Sequence, residues 1–275
     1  IIDTFDLPLR YDFEHYELNE TEKYQVFFEE TQGTALFKQY IWASGNSGFA
    51  LTGVGRNPQE YPTVSIENGI DGSRAIKLET KSTGQFGETV KMPIAAGNLF
   101  LGSFDVNNAV QKPLKATRFG LPFGKKPLQL KGYYKYTPGT QPFKAKDKNG
   151  NTVTIPGQED EGDIYAVLYE AAELDGKALD GNNVLTSKNI VALARVEVEK
   201  KDEFTAFHVD FHYGSRIPID WPKFIQDQRD PSDDGTDKYL PFREEKMKNY
   251  EYNLAVVFTS SKYGAYFAGS VGSTL

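Results

Sequence analysis

Short apolar stretches that end at turn residues recur along this chain and constrain its fold more than any other feature. They alternate polar and apolar side chains or run apolar for a few residues, and they are rich in Val, Ile, Tyr and Phe. Between them, dipeptides such as Asn149-Gly150 and Asp180-Gly181 supply the positive φ angles of tight hairpin turns. The pattern predicts an all-β fold, with strands over 24–29, 73–81, 128–136, 164–170, 190–199, 204–213, 252–260 and 265–271.

Few stretches carry a helical pattern, and only two of the polar segments between the predicted strands are long. We expect about two helical turns at 34–42 and a brief helix at 222–229, because a proline can occupy a first helical turn. The segments 147–163 and 226–248 are polar and are predicted to be long loops. The sequence therefore predicts a single domain over residues 1–275, a two-sheet β-sandwich of jelly-roll type with one or two short helices.

The amino-acid composition excludes several kinds of chemistry. The chain has no Cys, which excludes disulfide scaffolds, thiolate zinc sites, iron–sulfur clusters and cysteine nucleophiles. Its formal net charge of −7, with no basic block, argues against binding to nucleic acid or to anionic membranes. No run of about 18 apolar residues occurs, so no transmembrane segment is predicted. The sequence begins at Ile1 without a targeting leader, so any such segment is expected to have been removed or to lie outside it.

Alternation within the strands also predicts which faces are polar. In 204–213 one row is apolar, whereas the opposite row carries His208, Asp210 and His212. Other predicted strands place Tyr beside polar groups, and sugars are recognised by flat aromatic rings flanked by groups that hydrogen-bond hydroxyls. The alternative is a solvent-exposed polar face on which Tyr is present for its β-propensity. The candidate ligand-binding residues are Tyr133, Tyr165, Tyr169, Arg195, His208, Asp210 and His212, with Trp221 at the rim.

Two patterns could indicate a metal ion. His208, Asp210 and His212 share one side of a strand, but the row would span roughly 13 Å, which is too long for one ion without a bend. A sugar-contacting row and a plain polar face are the alternatives. The acidic stretches 158–163 and 230–237 could supply oxygen ligands to Ca²⁺, but neither has the spacing of a helix–loop–helix calcium site. We expect solvated acidic loops and no cofactor, with Ca²⁺ as the open alternative.

Carboxylates are the candidate catalytic groups. Glycoside hydrolysis needs two carboxyls about 5–10 Å apart across a cleft. Glu197 and Asp210, on outward faces of consecutive predicted strands, could form such a pair, and Asp163 could join a partner from elsewhere. No G-x-S-x-G motif supports a serine nucleophile, and no glycine-rich phosphate loop is present.

Several motifs in order resemble a known family. They are WASGNSGFA at 42–50, AGNLFLGSF at 96–104, GLPF at 120–123, LKGYYKYTPG at 130–139, DIYAVLYE at 163–170 and SSKYGAYFAGSVGSTL at 260–275. From about residue 40 onward the chain resembles the putative carbohydrate metabolism domain family of secreted and surface proteins from polysaccharide-degrading gut bacteria. The resemblance implies a jelly-roll-like β-sandwich with a role in glycan binding or processing, and it carries no assigned catalytic residues.

The resemblance also implies a location and a missing element. It implies an exported protein that is periplasmic, secreted or at the cell surface, with lipid anchoring through an absent N-terminal segment as one route. In such domains the Gly-Ser-Thr-Leu stretch runs on into a further strand, whereas this sequence ends at Leu275. We expect that final strand to lie outside the sequence.

Three functions are open at this point. The favoured one is a glycan-binding β-sandwich that takes polysaccharide or oligosaccharide outside the cytoplasm without catalysis. The second is a glycoside hydrolase or lyase of jelly-roll fold that uses a carboxylate pair. The third is a structural module whose sheet face docks another domain.

Overall fold

The protein is built almost entirely from short β-strands. The computed structural model describes residues 6–31, 37–174 and 177–275. Within these residues the strands are β1 Tyr16–Leu18, β2 Gln25–Phe27, β3 Glu29–Thr31, β4 Phe37–Gln39, β5 Trp42–Ala43, β6 Thr63–Ile66, β7 Ala75–Leu78, β8 Lys81–Ser82, β9 Ile94–Ala95, β10 Asn98–Phe104, β11 Thr117–Phe119, β12 Leu121–Pro122, β13 Gln129–Tyr136, β14 Lys144–Lys146, β15 Thr152–Thr154, β16 Asp163–Glu170, β17 Ile190–Val196, β18 Lys201–Asp210, β19 His212–Tyr213 and β20 Tyr252–Thr259.

Helices are few and short in the described part of the chain. The longest has six residues, so none adds a layer of its own to the fold. No helix among the described residues is both long and apolar enough to cross a membrane. The α-helices are α1 Asn46–Ala50, α2 Gly84–Thr89, α3 Lys223–Gln226 and α4 Glu244–Lys248.

One eight-stranded sheet organises the molecule. Its strands run in the order β11-β10-β20-β16-β17-β19, with β12 also paired to β20 and β5 to β10. The two central strands, β16 and β20, pair antiparallel along their whole length, from Asp163 opposite Thr259 to Glu170 opposite Tyr252. The remaining strands form two-stranded ribbons, among them β13–β18 and β6–β7.

Both faces of this sheet are buried. Along β16, Ala166 and Leu168 belong to a core on one face, whereas Tyr165, Val167 and Tyr169 belong to a second core on the other. Every residue of Asp163–Glu170 is buried, because β17 and β20 flank the strand and side chains from ribbons and loops cover both its faces. This all-β sandwich agrees with the predicted fold class.

Trp42 anchors the first core. It is 4% exposed, and its indole N–H donates to Glu29 Oε1 at 2.8 Å. The rings of Tyr11 and Phe13 pack against the indole at 5.0 and 5.3 Å between centroids. A buried indole needs such a partner for its only polar group, so this tryptophan is structural.

Three sequence predictions fail or change in the structure. The predicted helix at 34–42 is wrong where it can be assessed, since 37–39 and 42–43 are strands; residues 34–36 lie outside the described part. The predicted strand at 265–271 is instead a 3₁₀ turn over Gly264–Tyr266 that ends at Phe267, whose φ of 57° is left-handed and stops an extended run. The brief helix expected at 222–229 is present as Lys223–Gln226, with Pro222 immediately before its first residue.

The two long polar segments carry more structure than predicted. In 147–163, β15 pairs with β14 in a hairpin. In 226–248 lie a 3₁₀ turn at Pro231–Asp233 and the helix α4, and Asp234 bridges to Ser187. Neither segment is an irregular loop throughout.

Candidate functional site

A cavity of about 190 Å³ lies on the second face of the eight-stranded sheet, beneath its covering loops. Phe100 on β10, Tyr165 on β16 and Val257 on β20 line it from the sheet. The loops contribute residues of α1 and α2 and of the segments 104–117, 181–186 and 261–267, together with Trp221. It is smaller than the roughly 300–1,000 Å³ of pockets that hold drug-sized ligands, so it suits a small ligand or one end of a larger one.

Aromatic side chains cluster at one end of this cavity. Trp221 is half-buried, and the rings of Tyr263 and Tyr266 lie 6.4 and 6.3 Å from its own, between centroids. The Arg229 guanidinium sits over the indole at 4.5 Å, and it is held in turn by two 2.8 Å contacts to the Asp234 carboxylate. The indole is therefore fixed in place, which is the condition for an aromatic ring to receive the C–H face of a sugar.

One buried ion pair borders the cavity. Arg195 donates from Nε and Nη2 to the two carboxylate oxygens of Asp163, at 2.9 and 2.7 Å. The Asp163 side chain is 3% exposed and that of Arg195 is 16% exposed. Burial lowers the pKa of Arg195, but the Asp163 charge outweighs burial and raises it above its usual value. Both oxygens of this carboxylate are thus engaged by Arg195.

The other polar side chains that line the cavity differ in whether the protein already bonds them. Lys262 donates from Nζ to Glu161 at 2.6 Å, and Asn98 accepts from the Gly45 amide at 2.8 Å. The buried Thr117 hydroxyl has no hydrogen-bond partner among the described residues. An unpaired hydroxyl at a buried position costs free energy, and because this oxygen is itself buried, a ligand in the cavity has no direct access to it.

A buried carboxylate holds the cavity-lining segment 261–267 from behind. Asp160 Oδ2 accepts from Ser261 Oγ at 2.6 Å, from the Ser270 amide at 2.8 Å and from Ser273 Oγ at 2.7 Å. Burial raises the pKa of Asp160 to about 6, although these hydrogen bonds and one from the Glu161 amide act in the opposite direction. Because Ser261 itself lines the cavity, this network positions one wall of the site.

Comparison with known proteins identifies the family. The sequence matches the family described as "Putative carbohydrate metabolism domain" over residues 12–275. The chain belongs to this family. No curated protein matches it.

Two crystal structures share the fold, and each is described as a putative glycoside hydrolase. The one from Bacteroides thetaiotaomicron VPI-5482 is 42% identical with a TM-score of 0.78, and the match covers 98% of this chain and 69% of that one. The one from Bacteroides vulgatus ATCC 8482 is 33% identical with a TM-score of 0.74, covering 96% of this chain and 93% of that one.

The motifs that carry the family resemblance converge on the cavity. Stretch 42–50 contributes Gly48 and Phe49, and stretch 96–104 contributes Asn98, Phe100 and Phe104. Stretch 163–170 contributes Asp163 and Tyr165, and stretch 260–275 contributes Ser261, Lys262 and the run from Gly264 to Phe267. Stretches 120–123 and 130–139 do not line the cavity, and 130–139 lies mostly on the β13–β18 ribbon. Four separate parts of the family pattern thus meet at one site.

The structure separates the predicted ligand-binding residues into two groups. On the β13–β18 ribbon, Tyr133 is 60% exposed, and His208 and Asp210 are exposed on the opposing strand, where Lys131 pairs with His208. His212 is exposed on β19. These four could meet a ligand on an open face, but the ribbon lies apart from the cavity that Trp221 lines.

For three residues the expectation of an outward polar face is wrong. Tyr165 is 5% exposed and Tyr169 fully buried, with its hydroxyl donating to the Phe119 carbonyl at 2.6 Å. Arg195 is bound to Asp163 rather than open. The alternation of Tyr with Asp and Val on β16 suggests one solvent-exposed face. A strand at the centre of a sheet that is covered on both sides has no such face. Tyr165 still lines the cavity, from below.

The predicted catalytic carboxylates do not come together in a cleft. Glu197 and Asp210 are exposed, and neither lines this cavity. Asp210 accepts from Gln129 Nε2 at 2.6 Å. Asp163 lines the cavity without a second carboxylate among the lining residues.

The acidic residues of the two possible Ca²⁺ sites make hydrogen bonds and ion pairs with other protein groups. Among the described residues no group of three His, Asp or Glu side chains is placed to hold a metal ion. In 230–237, Asp230 accepts from the Ser232 amide, Asp233 from Asn183 and Asp234 from Arg229. In 158–163, Asp160 and Asp163 are buried in the networks above.

Sequence reasoning did not single out Thr117, Lys262, Ser261 or a structural role for Asp160. Ser261 and Lys262 lie inside a motif quoted for the family resemblance, which was the available signal. Thr117 lies in no such motif, and nothing in the sequence distinguishes its hydroxyl from that of any other threonine in a strand.

Proposed function

We propose that this chain is a glycan-binding module that holds a terminal sugar, or a short oligosaccharide, in the cavity beside Trp221. The cavity combines a fixed aromatic cluster with hydrogen-bond donors and acceptors, which is the combination that sugar recognition requires. Membership of a carbohydrate-metabolism family supports a saccharide as the ligand class.

One observation favours binding over hydrolysis. Among the residues that line the cavity, all of them described by the structure, Asp163 is the sole carboxylate, and Arg195 holds both of its oxygens. Glycoside hydrolysis by the usual route needs a second carboxyl about 5–10 Å away. The two similar crystal structures are described as putative glycoside hydrolases, so release of reducing sugar is the competing outcome to be measured.

Replacing Trp221 with Ala is expected to weaken glycan binding about tenfold or more, which corresponds to ~1.4 kcal/mol. Isothermal titration against a panel of neutral and acidic oligosaccharides measures this. Trp221→Phe keeps an aromatic face and is expected to retain most of the affinity. Tyr133→Ala, at the exposed ribbon position, is the matched control and is expected to leave binding unchanged.

Three results would contradict the proposal. One is the absence of binding to any glycan at millimolar concentration. Another is loss of binding in Tyr133→Ala with none in Trp221→Ala, which would move the site to the ribbon. The third is release of reducing sugar by the wild-type chain that Asp163→Asn abolishes.

Replacing Thr117 with Val is expected to separate stability from binding. The hydroxyl lost is a buried one without a partner, so the free energy of unfolding is expected to stay the same or rise. Affinity for the glycan is expected to stay unchanged, because the buried oxygen is closed to the cavity. Chemical denaturation and titration of the same preparation check both parts. A variant that is less stable, or that binds the glycan more weakly, would contradict this expectation.

The proposal places the protein outside the cytoplasm, on the cell surface, in the periplasm or secreted. A chain without Cys, whose stability comes from a large core, is compatible with that placement. Cell fractionation with an antibody to the domain tests it, and recovery in the cytoplasmic fraction alone would contradict it.

A further inference from the structure

One wall of the cavity beside Trp221 comes from α2 and the residues next to it. Phe86 and Val90 lie four residues apart, which places them on the same side of this helical turn, and both line the cavity. The polar residues of the segment do not line it: Gln85, Glu88, Thr89 and Lys91. The lining residues, called the α2 wall below, are Thr83, Phe86, Gly87, Val90 and Met92.

The α2 wall holds one polar side chain, and the protein already bonds it. Thr83 Oγ1 donates to the Met92 carbonyl at 2.5 Å. A Cβ at Gly87 would lie 1.8 Å from this hydroxyl oxygen, so the close packing of the wall requires glycine there. A sugar hydroxyl placed against this wall would therefore give up its hydrogen bonds to water without a side chain to replace them.

Other polar side chains around the cavity are also bonded within the protein. Thr52 Oγ1 donates to the Phe49 carbonyl at 2.7 Å, and Thr259 Oγ1 donates to the Ser261 carbonyl at 3.1 Å. These hydroxyl protons are not free to bond a ligand. The cavity therefore favours a sugar that carries fewer hydroxyls than a simple hexose.

The mouth of the cavity is apolar on the same side. Phe86 is 40% exposed although it lines the cavity, so it lies where the cavity opens to solvent. Val54 is also exposed, and its Cγ2 would lie 3.0 Å from a Cβ placed at Gly84, the first residue of α2. Exposed apolar side chains that lie together are typical of a binding site.

We propose that the α2 wall receives a methyl group of the bound sugar, so that the ligand is a methyl-bearing sugar, either a 6-deoxyhexose or an acetylated sugar. This inference rests on the proposed function, because it specifies which sugars the cavity beside Trp221 selects. A methyl group has no hydrogen bond to lose at this wall, whereas a hydroxymethyl group in its place leaves a hydroxyl unpaired. A volume of about 190 Å³ suits a small substituent of this kind and not a long acyl chain.

Pairs of free monosaccharides that differ at one position test this by isothermal titration. L-fucose is compared with L-galactose, L-rhamnose with L-mannose, and 6-deoxy-D-glucose and 6-O-acetyl-D-glucose each with D-glucose. We expect the tightest binder to carry the methyl group and to bind at least about tenfold more tightly than its partner, because one carbon in an apolar pocket discriminates by about 10–200-fold. The deoxy and acetyl members distinguish the two sources of the methyl group.

Val90→Thr places a hydroxyl in the α2 wall with little change in size. It is expected to reduce the preference for the methyl-bearing sugar at least about threefold, because the partner's hydroxyl gains a group to bond. Val106→Thr is the matched control, since Val106 is exposed and does not line the cavity. It is expected to leave the preference unchanged.

The outcomes separate this inference from the proposed function. If sugars bind but the hydroxylated partner binds as tightly or more tightly in every pair, the inference is overturned and the proposed function stands. A preference that Val90→Thr leaves unchanged would overturn the assignment to the α2 wall. If no sugar binds at millimolar concentration, in this panel or as an oligosaccharide, the proposed function fails and this inference fails with it.

Discussion

Replacing Asp163 with Ala is expected to lower the free energy of unfolding by about 3–5 kcal/mol. The substitution leaves the Arg195 guanidinium buried without its bidentate partner, and an unpaired buried charge is among the costliest defects in a folded protein. Urea denaturation of the wild type and the variant measures the difference directly.

Two companion variants show whether the charge is the cause. Glu199 pairs with Lys201 at 2.8 Å on the surface, and Glu199→Ala is expected to leave the free energy of unfolding nearly unchanged, because solvent screens an exposed pair. Combining Asp163→Leu with Arg195→Met removes both charges and is expected to recover part of the loss. A loss below about 1 kcal/mol for Asp163→Ala would contradict the account of this ion pair.

Asp160 is expected to make the protein less stable as the pH rises from about 4 to about 6. Burial raises its pKa to about 6 in the folded state, against about 3.9 in an unfolded chain. The folded state therefore binds its proton more tightly, so the stabilisation is complete below about pH 4 and is lost as the pH rises through 6. Two pKa units correspond to about 3 kcal/mol.

The difference in stability between wild type and Asp160→Asn isolates this effect from the other carboxylates. Measured by denaturation at several pH values, the difference is expected to fall between pH 4 and 6 and to be constant above. Asp230→Asn is the control, and its pH dependence has the opposite sign. Hydrogen bonds from Ser232 lower the pKa of Asp230, so the contribution of Asp230 to the free energy of unfolding is lost at low pH. A difference for Asp160→Asn that does not vary with pH would contradict a raised pKa.

The sequence allowed the fold class and most of the longer strands to be predicted, because period-2 alternation and turn residues are local signals. β13, β16, β17, β18 and β20 lie within a few residues of their predicted bounds. The segment at 265–271 failed because a 3₁₀ turn with a left-handed Phe267 can carry as many apolar residues as a strand.

The candidate site could be predicted only in part. Trp221 was named as a ligand residue and lines the cavity, but the Asp163–Arg195 pair depends on strand register, which one sequence does not reveal. The exposure of Tyr133 and burial of Tyr169 depend on which strands are covered on both faces. That is a property of the sheet order and not of either strand.

A crystal structure of the chain with the tightest-binding glycan of the panel tests the central claim most directly. The account predicts a sugar ring in the cavity, within about 4 Å of the Trp221 indole. A sugar bound across Tyr133 and His208 on the ribbon, with the cavity beside Trp221 empty, would contradict it.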